Sequence, residues 1–336
     1  MQDTHVSLAH GNGGRYMREL IHEVFARHLA NPLLDTDADA AVLPWDAADG
    51  QLAFTTDSFT VQPIEFPGGN IGSLAVHGTT NDLAVAGAVP KYLSLGVLIE
   101  EGLEFAVLDR IVAGIAEAAR EIGVVVAAGD TKVVRRGEGG GIYLNTSGIG
   151  VRNPALRLGL KRIEAGDAIL VSGPVGDHGI AVMLAREQFG LRGDLASDAA
   201  SVLPITLELA KFDGLRFMRD PTRGGLATVA HELVQGSGLG VRLDESRVPV
   251  RDSVRSVCEM LGYDPYFLAC EGRVVAVVAA AQADAALAAL RALPSARDAA
   301  IIGHVCEQPR RVVLRTTIGG ERVIEELEDD PLPRIC

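Results

Sequence analysis

The chain has 336 residues, 48% of them apolar, and its 31 basic and 44 acidic side chains leave a formal net charge of −13. That length asks for two cores rather than one, and the acidic balance argues against an electrostatic grip on nucleic acid or anionic lipid. No apolar run approaches the roughly 18–20 residues of a membrane helix, and the opening MQDTHVSLAHGNGG lacks the basic and apolar regions of a secretory signal, so a cytoplasmic protein binding neither membrane nor nucleic acid is expected.

The first helix is expected over 14–29, where Met17, Leu20, Ile21, Val24 and Phe25 recur at the spacing of one buried face. A strand over 52–56 should end at Asp57. A helix over 72–86 and a strand over 92–99 follow. The stretch 105–122 is strongly periodic, with Leu108, Ile111, Val112 and Ile115 on one face. A short apolar strand over 124–128 is expected to stop at Gly129-Asp130, and a strand over 142–151 closes the first half. Asn153-Pro154 breaks the pattern. Beyond it come a strand at 168–172, helices from about Gly179 and from Leu203, and a helix after Gly224-Gly225. A strand at 274–280, an Ala-rich helix at 282–293 and a strand at 299–305 complete the alternation. Residues 311–327 read as a hairpin turning on Ile318-Gly319-Gly320, before an acidic, proline-punctuated tail. The expected fold is α/β with α+β-type layers, in two domains at 1–155 and 156–310. Each is a mostly antiparallel or mixed sheet with helices on one face, and the hairpin and extended tail occupy 311–336.

The common nucleotide loops are missing: there is no G-x-x-x-x-G-K-[ST] and no G-x-G-x-x-G. Instead, Asp39, Asp57, Asp82 and Asp130 recur where extended segments stop, the last three beside Thr, Asn or Gly. Carboxylates at strand ends can converge on a cation, and Mg²⁺ on nucleotide phosphates needs only a few of them. Taken singly, each aspartate is better read as a turn or helix-cap residue; it is their recurrence that points to a cation. Two glycine-rich loops lead into helices, as anion binding requires. One is His10-Gly11-Asn12-Gly13-Gly14, and the other is Asp220-Pro221-Thr222-Arg223-Gly224-Gly225, whose Arg223 is a phosphate donor. Gly176-Asp177-His178-Gly179 reads better as a helix cap than as a third such loop.

The four cysteines, at 258, 270, 306 and 336, have neither zinc-site spacing nor the density of a disulfide scaffold. Cys258, Cys270 and Cys306 lie in apolar surroundings and read as buried inert thiols. Cys336 is the last residue of the sequence.

Together HGNGG (10–14), TTDSF (55–59), HGTTNDLAVAGAVP (77–90), AAGDTKV (127–133), SGPVGDHGIA (172–181), RDPTRGGL (219–226) and PRIC (333–336) resemble the HypE family of hydrogenase-maturation factors. That family belongs to the PurM-like superfamily of aminoimidazole ribonucleotide synthetase, thiamine-monophosphate kinase and selenophosphate synthetase. The resemblance runs over essentially the whole chain. It implies an ATP-dependent carbamoyl dehydratase that converts a carbamoyl group on Cys336 into thiocyanate, the source of the cyanide ligand of [NiFe]-hydrogenase iron. It implies Mg²⁺ binding by Asp39, Asp57, Asp82 and Asp130, and ATP binding by Asn12, Gly13, Gly14, Asn81, Asp220, Arg223, Gly224 and Gly225. Lys132 and Glu271 are candidates for proton handling at the carbamoyl group; Lys132 serves as well as a phosphate-neutralising or surface lysine. Glu271, beside an apolar strand, is costly if buried unpaired. The implied partners are a HypF-type carbamoyltransferase that loads Cys336, a HypC–HypD-type iron scaffold that accepts the cyanide, and a second copy of the chain. Pro331 and Pro333 stiffen the tail, whose nine residues from Glu328 span on the order of 25 Å at ~3.1 Å per residue. Two other readings stay open on the residues: a superfamily kinase or synthetase acting on a diffusible small molecule, and a non-catalytic maturation scaffold.

Overall fold

The structure, a computed structural model, describes residues 4–11, 15–32, 50–186 and 194–326. Two units divide the chain between Asn153 and Pro154, except that Ala84–Gly87 count with the second.

In the first unit a helical stretch over 15–29 comprises α1 (Arg15–Leu20), a π-helical run (Ile21–Ala26) and α2 (Arg27–Leu29). It buries Leu20, Val24, Phe25 and Leu29. Then come β1 (Gln51–Phe59), the short pair β2 (Glu65–Phe66) and β3 (Gly69–Asn70), α3 (Ile71–Val85) and β4 (Ala88–Glu100). The unit closes with α4 (Phe105–Ile122), β5 (Val125–Val134) and β6 (Ile142–Arg152). Its main sheet runs β1-β6-β4-β5, antiparallel except for the parallel β4–β5 pair. Residues alternate in burial along β6, so one face of this sheet carries the core and the other stays open. Leu108, Ile111, Val112 and Ile115 of α4 are buried, as their periodicity predicts.

The expected strand ends are corrected here. Asp57 lies inside β1, paired with Thr146, and Asp130 lies in the middle of β5, paired with Gly96. On a strand with one open face, polar residues alternate with apolar ones and leave the ladder intact. Asp82 lies in α3.

The second unit contains β7 (Ala168–Val171), α5 (Asp177–Ala185), α6 (Leu203–Leu209), β8 (Leu215–Arg219), α7 (Gly225–Ser237) and β9 (Gly240–Asp244). After these follow α8 (Asp252–Leu261), β10 (Val275–Val278), α9 (Ala283–Arg291), β11 (Ala300–Cys306), β12 (Val312–Arg315) and β13 (Glu321–Val323). The seven strands form one sheet in the order β13-β12-β9-β11-β7-β10-β8, with β12 parallel to β9. The hairpin strands β12 and β13 are thus part of this sheet. Helices on one face only is wrong for this unit. Ile169, Val171, Val275 and Val277 pack in a cluster with Leu226, Val229 and Leu233 of α7. Leu170, Ala276 and Val278 instead join Ile205, Leu209, Ala286 and Leu290 of α6 and α9. The runs AILV and VAVV are buried at every residue, which requires cover on both faces.

Candidate active site

In the first unit two of the candidate carboxylates, Asp57 and Asp82, border the seam between β1 and α3. Thr55 Oγ1 donates to Asp82 Oδ2 at 2.9 Å, and the Ser58 N–H donates to Asp57 Oδ1 at 2.9 Å. Gly78 allows the close approach. A Cβ there would stand 2.8 Å from the Phe59 ring and 3.9 Å from Asp57 Oδ2. Asp82 lies one turn beyond Gly78 on the same helix face, so Asp57 and Asp82 border one seam. Asn81 is buried in the same turn. His77 is also buried; desolvation lowers its pKa to about 4, and its Nδ1 has no hydrogen-bond partner. It is therefore a neutral imidazole at physiological pH.

Asp130 and Lys132 lie elsewhere. They pair with Gly96 and Leu98 of β4, on the open face of the sheet and opposite Asp57. Gly129 and Thr131 take the covered rows beside Leu95 and Val97. Asp39, Asn12, Gly13, Gly14 and Cys336 lie outside the described residues. Among the described residues no group of three or more His, Cys, Asp or Glu side chains is placed to hold a metal ion. Two carboxylates on one seam still suit Mg²⁺, which takes one or two of them and fills its octahedron with phosphate oxygens and water.

In the second unit two motif loops meet on the segment 266–273. The Cys270 N–H donates to Pro221 O at 3.0 Å, tying the DPTRGG loop to Glu271's neighbour. The Gly179 N–H donates to Ala269 O at 3.1 Å, tying in the GDHG loop. Gly225, at φ +58°, starts α7 so close to this segment that a Cβ would stand 2.4 Å from Leu268 O. Asp220, Glu271 and Cys270 are all buried here. Burial pushes the Cys270 thiol well up, and its Sγ accepts the Gly176 N–H at 3.2 Å. It is an inert packing group, and so is Cys258, pushed up to about 11 by desolvation. Cys306 departs from expectation: it is only partly buried, on β11.

The GDHG loop does more than cap a helix. Gly176 occupies the cap position of α5, yet no side chain caps it. The Asp177 carboxylate turns instead to two arginines, with Oδ2 2.8 Å from Arg251 Nε and 3.4 Å from an Arg273 terminal nitrogen. Arg273 also pairs with Asp198, Nε to Oδ2 at 3.3 Å. Asp198 Oδ1 in turn accepts the Glu271 N–H at 3.0 Å. Burial raises the Asp198 pKa, while Arg273 pulls it back down. Next to it, Ser197 Oγ lies 2.8 Å from His178 Nδ1, and burial holds that imidazole near a pKa of about 3. The carboxylate–arginine network went unread in the sequence. Its one local signal is Arg273, two residues after Glu271 at the mouth of an apolar strand, where an unpaired charge would be costly.

The two halves of the chain match the family models for the AIR synthase related protein, with the N-terminal domain at residues 37–152 and the C-terminal domain at 164–315. The carbamoyl dehydratase HypE of Azotobacter vinelandii is 46% identical over 333 residues, covering 98% of this chain and 97% of its own. The chain belongs to the HypE family. A crystal structure of the hydrogenase maturation protein HypE in complex with ATP superposes with a TM-score of 0.92 at 44% identity, covering 98% and 99% of the two chains. HypE in a HypE–HypF complex superposes with a TM-score of 0.80 at 42% identity, covering 92% and 99%. The mixed sheets with packed helices are thus those of HypE structures, as the motifs predict. No helix among the described residues is long and apolar enough to cross a membrane.

Proposed function

We propose that this chain is a cytoplasmic carbamoyl dehydratase whose substrate is the carbamoyl group on its own Cys336. The observation that carries the proposal is the likeness to a carbamoyl dehydratase over 98% of the chain. The ATP-bound relative supports ATP as the second substrate.

The chemistry balances with the residues available. In a thiocarbamate, S–C(=O)–NH₂, the carbonyl oxygen is a poor leaving group. Transfer of the ATP γ-phosphoryl group to that oxygen gives S–C(=NH)–O–PO₃²⁻, ADP and one proton. Loss of the remaining N–H proton with expulsion of phosphate then leaves S–C≡N. Phosphoryl transfer depends on positioning and charge neutralisation. Asp57 and Asp82, with Asp39, would hold Mg²⁺, whose charge would offset that of the phosphates; Asp130, expected to join them, lies on the opposite face of the sheet and is not placed to share that ion. Asn12, Gly13, Gly14, Asn81, Asp220, Arg223, Gly224 and Gly225 would hold the nucleotide. Lys132 and Glu271 would manage the protons at the carbamoyl group, Glu271 as acceptor.

A HypF-type carbamoyltransferase would load Cys336, a partner supported by the HypE–HypF complex of a relative. A HypC–HypD-type iron scaffold would take the cyanide for the [NiFe]-hydrogenase iron. A homodimer through the open face of the first sheet completes the proposal. Leu52 and Phe54 expose 56% and 69% of their surface there, an apolar strip that a second copy would cover.

The test is ATP turnover by carbamoylated protein with and without the thiol. Cys336→Ala is expected to abolish it. A kinase or synthetase acting on a diffusible substrate would keep its turnover in that variant, and a scaffold would show none in either protein.

A further inference from the structure

Segment 194–200 contains neither helix nor strand, yet it packs closely against the Glu271 loop. Gly272 packs so closely that a Cβ would stand 1.9 Å from Asp198 O. The Glu271 N–H ends on Asp198 Oδ1 at 3.0 Å. Arg273, fixed by a 2.9 Å hydrogen bond from Nε to Pro174 O, brings its guanidinium to both Asp198 and Asp177. Asp198 thus binds Glu271 through its N–H and Arg273 through its guanidinium, and its carbonyl packs directly against Gly272 between them.

A backbone carbonyl or a serine hydroxyl would satisfy one N–H without burying a charge. Here a carboxylate with 1% of its side chain exposed is used instead. The desolvation of such an ion costs several kcal/mol and is recovered only with a fixed counter-ion and good hydrogen bonds. Arg273 supplies that counter-ion from the same loop that Asp198 restrains. Such an arrangement fixes a position better than it stabilises a fold.

We propose that Asp198 is a positioning residue for the dehydration: through the Glu271 N–H and the Arg273 guanidinium it holds the Glu271 carboxylate in one place. This rests on Glu271 being the proton acceptor at the carbamoyl group. Asp198 itself touches neither the carbamoyl group nor the nucleotide in this assignment.

The test is single-turnover dehydration of full-length, pre-carbamoylated protein in wild type, Asp198→Ala, Asp198→Asn, Glu271→Gln and the Asp198→Ala/Glu271→Gln double variant. Misplacement of a reacting group by about an ångström costs on the order of a hundredfold, so Asp198→Ala is expected to slow the step by roughly tenfold to a hundredfold, with half-saturating MgATP unchanged. Asp198→Asn, which keeps the acceptor oxygen and loses the charge, is expected to fall between the two. The double variant should be no slower than Glu271→Gln alone, because both changes remove one function. Multiplied losses in the double variant, or a wild-type rate in either Asp198 variant, would overturn the proposal while leaving Glu271's role standing. A wild-type rate in Glu271→Gln would remove the reading of Glu271 itself. If Asp198→Ala fails to fold, Asp198→Asn takes its place in the same cycle with the same criterion.

Discussion

Thr55 and Asp82 are joined by one hydrogen bond, Oγ1 to Oδ2 at 2.9 Å, which sets a carboxylate of α3 against strand β1. The threonine is nearly isosteric with valine. Thr55→Val therefore removes the donor with little change in packing. A hydrogen bond to a charged group contributes ~1.5–3 kcal/mol, so half-saturating MgATP should rise by roughly tenfold or more in an ATP titration, while carbamoyl loading is retained. Asp82→Ala should abolish dehydration and likewise leave loading intact. If loading fails as well, Asp82 is holding the fold rather than the nucleotide.

Gly78 sets the width of the same seam. With Phe59 ring atoms 2.8 Å from the position a Cβ would take, Gly78→Ala must displace the buried Phe59 ring that packs between β1 and α3. Overpacking of this kind costs about 1–3 kcal/mol. The expected outcome is a lowered melting temperature together with weakened MgATP binding; unchanged binding would place the nucleotide away from this seam.

Arg273 neutralises two buried carboxylates at once. Removing one partner of a buried ion pair costs roughly 3–5 kcal/mol. Arg273→Ala should therefore destabilise the fold by about that amount in denaturant titration. Arg251→Ala should cost much less, because Arg251 is half exposed and its attraction to Asp177 is screened by water.

Two buried imidazoles make stability depend on pH. His77 and His178 have folded pKa values of about 4 and about 3, against an ordinary 6.5, and desolvation is the cause in both. The unfolded chain is then the stronger proton binder below 6.5, so stability is lost as pH falls from 6.5 toward 4. Each such group approaches a slope of about 1.4 kcal/mol per pH unit in that window. Asp198 works in the opposite sense, since its raised pKa makes the folded state the stronger proton binder. Comparing His178→Gln with wild type cancels that contribution. Between pH 6 and 5 the variant should show a shallower loss of stability in chemical denaturation, whatever its absolute stability. An unchanged slope would mean that His178 titrates normally.

Much of the scaffold was legible because burial is periodic. The expected helix 105–122 matches α4 end for end, and the strand expected over 142–151 is β6 within a residue. Others were missed for local reasons. Strand β8 has five residues of mixed polarity, and α8 buries only Val254, Val257 and Cys258 among charged neighbours. The both-sided cover of the second sheet was present in its unbroken apolar runs but needed that reading of them. The face taken by Asp130 was not readable at all. Leu93 pairs with Val126 but Ser94 with Ala128, so Ala127 is an extra residue that reverses the alternation of everything after it. Nor could sequence bring Asp198 to Glu271, since 73 residues separate them and no local pattern marks the pairing.

The most direct measurement is intact-protein mass spectrometry of the S-carbamoylated chain before and after MgATP, with the modified residue located by fragmentation. The account predicts a loss of one water equivalent, ~18 Da, on Cys336, because phosphoryl transfer turns the carbamoyl oxygen into a leaving phosphate. A carbamoylated Cys336 whose mass is unchanged after MgATP would contradict it.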